Sequence, residues 1–252
     1  MVEHGALAVR ERARLLLQRE IGRALGIVWV PIVVGVMRFV FRWKIVDAAR
    51  IRHEYRHIRA ESDAPLVVCA NHLTMLDSAV VAWALGSPGW YLRHFSSLPW
   101  NVPEWRNFGS SLVRRVLVYL MRCIPITRGS NRADVASVLE RVRHVLLLGD
   151  VVLIFPEGGR ARSGRVEVEN AAHGVGRIVG SVPGCRVLCL YVRGEGQRVM
   201  SDVPARGETF HVRASLLEPR SSKRGVRASL EISRQIVEEL SVLEKQVLGE
   251  AA

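Results

Sequence analysis

The chain has 252 residues, 49% hydrophobic but only 6% aromatic, enough for an aliphatic core built without disulfides or metals. A formal net charge of +12 directs the surface toward anionic partners (lipid headgroups, phosphorylated substrates or nucleic acid) without choosing among them. The four cysteines, Cys69, Cys123, Cys185 and Cys189, have neither CxxC spacing nor neighbouring histidines, so they read as buried reduced thiols rather than zinc ligands or disulfides.

From the N-terminus, residues 3–25 predict an amphipathic helix with Leu7, Leu15, Ile21 and Leu25 on the apolar face. It runs into residues 24–37, an uncharged stretch bounded by Arg23 and Arg38 that is shorter than the roughly 20 residues a comfortable span needs. With Trp29, Trp43 and the flanking arginines, that suits a helix lying at the headgroup boundary or dipping into one leaflet; a buried core helix and a tilted span are the alternatives, and Pro31 is expected to kink any of these.

From Pro65 the pattern changes to strands alternating with helices. Residues 65–70 predict a short buried strand, 74–85 a helix stopped by Gly86 and Pro88, 90–95 a second strand and 110–122 a helix. Residues 123–127 are expected to be extended, because Pro125 disfavours helix, and 132–148 to be helical. The run 151–155 is the clearest central strand, followed by a glycine-rich loop, a helix near 174–180 and a strand at 187–192. A last strand at 209–217 and a long helix over 226–248 complete the chain. The alternation predicts an α/β fold: a central, mostly parallel sheet covered by helices, over about residues 61–252. Residues 1–60 are expected to form an amphipathic and apolar helical membrane arm.

Three segments carry chemistry. In NHLTMLD, residues 71–77, a strand gives way to a helix across a tight turn. Asp77 can then reach back to one nitrogen of His72, fixing its tautomer and leaving the other nitrogen free to accept a proton. Thr74 and Asp77 also form a T-x-x-D pattern, so helix capping alone accounts for the aspartate equally well. In FPEGGRARSG, residues 155–164, Gly158 and Gly159 allow close backbone approach to a ligand, and Arg160 and Arg162 can clamp an anion. An ordinary surface loop with a Glu157–Arg160 ion pair is the competing reading. The third segment, IPITRG (124–129), ends in the cation Arg128.

Taken in order, NH-x4-D, I-P-I-x-R and F-P-E-G-x-R resemble the glycerolipid acyltransferase superfamily, over about residues 65–195. The resemblance implies that His72 and Asp77 are the catalytic pair. Arg128, Glu157, Gly158 and Arg160 then line the acceptor site, with Asn71 and Gly159 beside them. It implies metal-free transfer of an acyl group from acyl-CoA or acyl carrier protein to a lysophospholipid, 1-acylglycerol 3-phosphate first among them. Relatives acting on glycerol 3-phosphate, lyso-ornithine lipid or other lysophospholipids stay open, as does a non-enzymatic basic protein. The expected setting is an anionic membrane surface on the cytoplasmic side, held peripherally or monotopically, with no nucleic acid partner. The sequence departs from the family pattern where Gly159 replaces Thr or Ser and Arg122 replaces a glycine before the second motif. VLCLYV also lacks the proline usual in the fourth motif.

Overall fold

The computed structural model describes residues 7–107, 111–127, 129 and 131–249. Its first element, α1 (Val9–Gly35), is one continuous helix rather than two segments, and a wider turn carries it on to Val40. Pro31 removes one backbone donor without ending the helix. By length and composition alone, Val9–Val40 is long and apolar enough to cross a membrane, although its uncharged core is short. One face docks on the rest of the chain through Leu15, Gln18, Gly22, Gly26, Val30 and Met37. Gly22 permits the approach: a Cβ there would lie 3.1 Å from the carbonyl oxygen of Leu120. The other face leaves Leu25, Ile27, Val28, Ile32, Phe39 and Val40 exposed.

Next come β1 (Lys44–Ile45) and α2 (Ala48–Glu61), both in the stretch expected as the N-terminal arm. β1 joins the sheet, while Ile51 and Tyr55 of α2 are fully buried and the Tyr55 hydroxyl donates to the Ser97 carbonyl at 2.7 Å. β2 (Leu66–Ala70) leads into α3 (Asp77–Leu85). The strand expected at 90–95 is instead α4 (Pro88–Arg93). Pro88 sits where its fixed φ and missing N–H suit a helix start, and Tyr91 caps the packing by donating to the Ala82 carbonyl at 2.6 Å. The neighbouring strand is β3 (Trp100–Asn101), too short to leave a periodic signature.

There follow α5 (Leu112–Leu120), α6 (Arg132–Leu147), β4 (Val152–Ile154), α7 (His173–Ser181), β5 (Arg186–Gly194), β6 (Thr209–Leu217) and α8 (Gly225–Leu248). They make one six-stranded sheet in the order β1-β6-β5-β2-β4-β3, parallel throughout except for β5 against β6. Side chains alternate across it. Leu66, Val68, Ala70, Leu188 and Leu190 face α2, α3 and α4, and Val67, Cys69, Val187 and Cys189 face α6, α7 and α8. All four cysteines are buried and free.

Arg122 explains why a glycine commonly occupies its position. Its φ of 56° lies in the left-handed region that most side chains avoid. The guanidinium offsets that strain: it is wholly buried between the Phe95 and Trp100 rings, each 4.8 Å away, and ion-paired to Asp150 at 2.6 Å. Burial pushes its pKa down to about 10, which leaves it charged at neutral pH. This anchor sets the start of the extended 123–127 segment, which bridges to Asn101 and Glu104 beside the exit of β3.

Candidate active site

β2 and β4 are adjacent and parallel, with Cys69 opposite Ile154, so their carboxyl ends deliver residues 71–77 and 155–164 side by side. Sites in open α/β sheets gather at such strand ends. The Nδ1 of His72 lies 3.1 Å from Oδ2 of Asp77. The same oxygen accepts the N–H groups of Leu73 at 2.5 Å and Thr74 at 2.7 Å, and Oδ1 accepts the Thr74 hydroxyl at 2.5 Å. The helix begins at Asp77 itself, with Leu76 as its cap residue; the Thr74 N–H reaches the Asp77 carboxylate as in a capping box, while the Thr74 hydroxyl oxygen accepts the Leu76 N–H at 3.2 Å. The aspartate holds the turn and touches the imidazole at once.

Phe155, at the exit of β4, stacks on the His72 ring with centroids 4.1 Å apart and planes 16° off parallel. Two hydrogen bonds tie the segments: Ala161 N–H donates to the His72 carbonyl at 2.9 Å, and His72 N–H donates to the side-chain Oε1 of Glu157 at 3.3 Å. Burial pushes the Glu157 carboxyl up to about 8; the bond from His72 N–H opposes this, and the Glu244, Glu167 and Asp77 carboxylates reinforce it. Glu157 is therefore largely protonated at neutral pH, able to donate a hydrogen bond as well as accept one.

Two recesses flank the glycine loop. A cavity of about 340 Å³ opens at His72, Gly158, Gly159 and Arg160 and runs between apolar walls that include Val138, Val142 and Ile178. A polar recess of about 290 Å³ lies along Glu157–Arg162, Glu167 and Asn170. Gly158, with a φ of 67°, makes the turn between them.

The remaining sequence-predicted residues are placed as follows. Asn71 is buried and exchanges two hydrogen bonds with the Val192 main chain, at 2.9 and 2.7 Å, so its amide joins the turn to β5 rather than facing the cavity. Arg160 lines the cavity mouth, but it pairs with Asp202 Oδ1 at 2.7 Å and donates to the Ser201 carbonyl at 3.0 Å rather than pairing with Glu157. Arg128 lies outside the described residues. Sequence reasoning missed the 197–203 loop, which carries Asp202 and clasps the His72 turn through Ser201 N–H to the Leu73 carbonyl and Met75 N–H to the Asp202 carbonyl. It also missed Glu244, although an acid at helical spacing from Leu240 and Val247 was a readable signal.

An α/β domain with an imidazole–carboxylate pair at one strand exit, a glycine–arginine loop at the next and an apolar cavity between them has the architecture of a group-transfer enzyme. A sequence model of the acyltransferase family matches residues 50–193, more than half of the chain. The chain belongs to the glycerolipid acyltransferase family, whose members transfer acyl groups to lipids. No curated relative matches it.

Proposed function

We propose that the chain transfers a fatty acyl group from acyl-CoA or acyl carrier protein to the free hydroxyl of a lysophospholipid, with 1-acylglycerol 3-phosphate as the first candidate and phosphatidic acid as its product. The observation that carries this reading is the His72–Asp77 pair, at 3.1 Å, opening onto an apolar cavity beside a glycine–arginine loop. With Asp77 accepting from Nδ1, the lone pair of His72 resides on Nε2. The acceptor hydroxyl gives its proton to Nε2 as its oxygen attacks the thioester carbonyl. The C–S bond then breaks, and the departing thiolate takes that proton back from the imidazolium. Asp77 steadies the imidazolium, Phe155 holds its ring plane, and the main-chain N–H of Gly159 is the candidate to meet the oxyanion, that of Gly158 being donated to the Phe155 carbonyl.

Glu157 belongs to the acceptor side of this scheme. A protonated carboxyl places no negative charge beside an incoming phosphate and offers it a donor. Arg160 supplies the cation; its partner Asp202 is 76% exposed, and an exposed ion pair is weak enough, about 0–1 kcal/mol, for a phosphate to displace it. The exposed apolar face of α1 and the surplus of basic residues favour a peripheral or monotopic position on the cytoplasmic face of an anionic membrane.

The test is transfer of labelled acyl groups from each thioester to a panel of acceptors: 1-acylglycerol 3-phosphate, glycerol 3-phosphate, lyso-ornithine lipid and a zwitterionic lysophospholipid. His72→Ala is expected to lower transfer by about 100- to 10,000-fold while the protein stays folded. A folded His72→Ala protein with near-normal turnover overturns the mechanism, and preference for another acceptor overturns the headgroup assignment.

A further inference from the structure

Glu244 lies on α8, outside the residues matched by the family model, and is 4% exposed. Its carboxylate accepts the Val166 N–H, at 3.3 and 3.2 Å to its two oxygens, and the Tyr191 hydroxyl at 2.9 Å. It also faces the guanidinium of Arg193 at 3.8 Å and that of Arg165 at 3.7 Å. Arg193 in turn grips both loops that frame the site. It donates to the Gly164 carbonyl at 2.6 Å, at the end of the glycine–arginine loop, and to the carbonyls of Gln197 and Arg198, at 2.9 and 3.3 Å, at the start of the loop that carries Asp202. The two loops meet at Gly164, where a Cβ would lie only 2.2 Å from the Arg198 carbonyl oxygen.

We propose that Glu244 is a positioning residue for acyl transfer: by holding Arg193 and Tyr191 it fixes the glycine–arginine loop and the Asp202 loop against the His72 turn. A desolvated arginine needs a desolvated counter-charge. Without one, Arg193 relaxes toward water and releases Gly164 together with Gln197 and Arg198. The acceptor side, where Glu157 and Arg160 stand, then loosens. His72 and Asp77 keep their own bonds, because these are local to the 72–77 turn. The kinetic part of this proposal rests on the acyl-transfer reading above; the structural part does not.

The experiment compares wild type and Glu244→Gln by amide hydrogen exchange, thermal melting and steady-state transfer to 1-acylglycerol 3-phosphate. Gln keeps the shape and one acceptor oxygen but turns an amide donor toward Arg193. Exchange across residues 157–166 and 197–202 should be at least about tenfold faster, with α8 and the central strands keeping their protection. KM for the acceptor should rise about tenfold, with kcat and KM for the thioester each within about threefold of wild type. Unchanged exchange in both loops overturns the proposal. So does a uniform acceleration over the whole domain with both KM values rising together, which marks a merely structural residue. If Glu244→Gln does not fold, Tyr191→Phe, which removes only the hydroxyl that donates to Glu244 and accepts from Arg193 at 3.1 Å, decides the matter by the same criteria. If wild type acylates no acceptor on the panel, the proposed function fails, and the exchange measurements alone still decide the role of Glu244.

Discussion

Glu157→Gln should stabilise the protein at alkaline pH and leave it unchanged in acid. In the native state the Glu157 carboxyl keeps its proton up to about pH 8, whereas its ordinary pKa is 4.5. Between these values the native state binds more protons than the unfolded state, so this group makes stability fall as pH rises. Each pKa unit corresponds to about 1.4 kcal/mol, which sets a ceiling of roughly 5 kcal/mol on the whole effect. Glu157 retains some contact with solvent, which screens the cost, so about 2 kcal/mol is expected. For a chain of this size that is a rise in Tm of about 4–8 °C. Gln reproduces the neutral carboxyl, including the oxygen that accepts the His72 N–H, so the native geometry is kept. Melting both proteins from about pH 4 to about pH 9 should give curves that coincide at the acid end and diverge steadily up to about pH 8. A Tm difference that does not vary with pH refutes the buried-proton argument.

Asp77→Asn retains one oxygen for the Leu73 and Thr74 N–H groups and for His72 Nδ1 but loses the negative charge that steadies the imidazolium, so turnover should fall about 100-fold with little loss of Tm; a large stability loss with normal turnover would make Asp77 a purely structural residue. Asp202→Asn frees Arg160 from its exposed partner, and KM for a phosphate-bearing acceptor should drop about twofold to fivefold, while Arg160→Ala raises it. If KM for the thioester moves instead, steady-state kinetics will have reassigned this loop to the donor. Ile27→Glu with Ile32→Glu alters only the outward face of α1, so the melting curve should not change while flotation with anionic vesicles falls at least about tenfold; undiminished flotation would remove this face from the membrane contact.

The central strands were legible because buried β-strands leave unbroken apolar runs, as in residues 66–70 and 152–154, and α8 because its apolar residues recur at helical spacing. The pairing of His72 with Asp77 was readable too, since both lie in one turn. β3 and α4 were not, one because two residues show no period and the other because a Trp-Tyr-Leu run suits either structure. Long-range polar pairing is the larger gap. Nothing in the local pattern says that Arg160 will meet an aspartate 42 positions away, or that Glu244 will meet Tyr191 across 53. Such contacts follow from strand order, and strand order is decided by the whole core. Arg122 is an intermediate case: its place before the second motif was visible, but the buried cradle that lets an arginine adopt a glycine conformation was not.

The two residues of β1 have a consequence for handling the protein. Hydrogen bonds from Lys44 to the Glu208 carbonyl and from Val46 to the Phe210 carbonyl close the start of β6, the strand that would otherwise form the rim of the sheet. Cutting the chain after residue 47 to remove an apolar helix also strips that closure and leaves the start of a nine-residue strand with the Glu208 and Phe210 carbonyls open. A bare rim of this kind recruits strands from other molecules. A truncated protein that precipitates would then be reporting an unpaired sheet edge, and a short, charged replacement strand in place of β1, rather than detergent, is what should return it to solution.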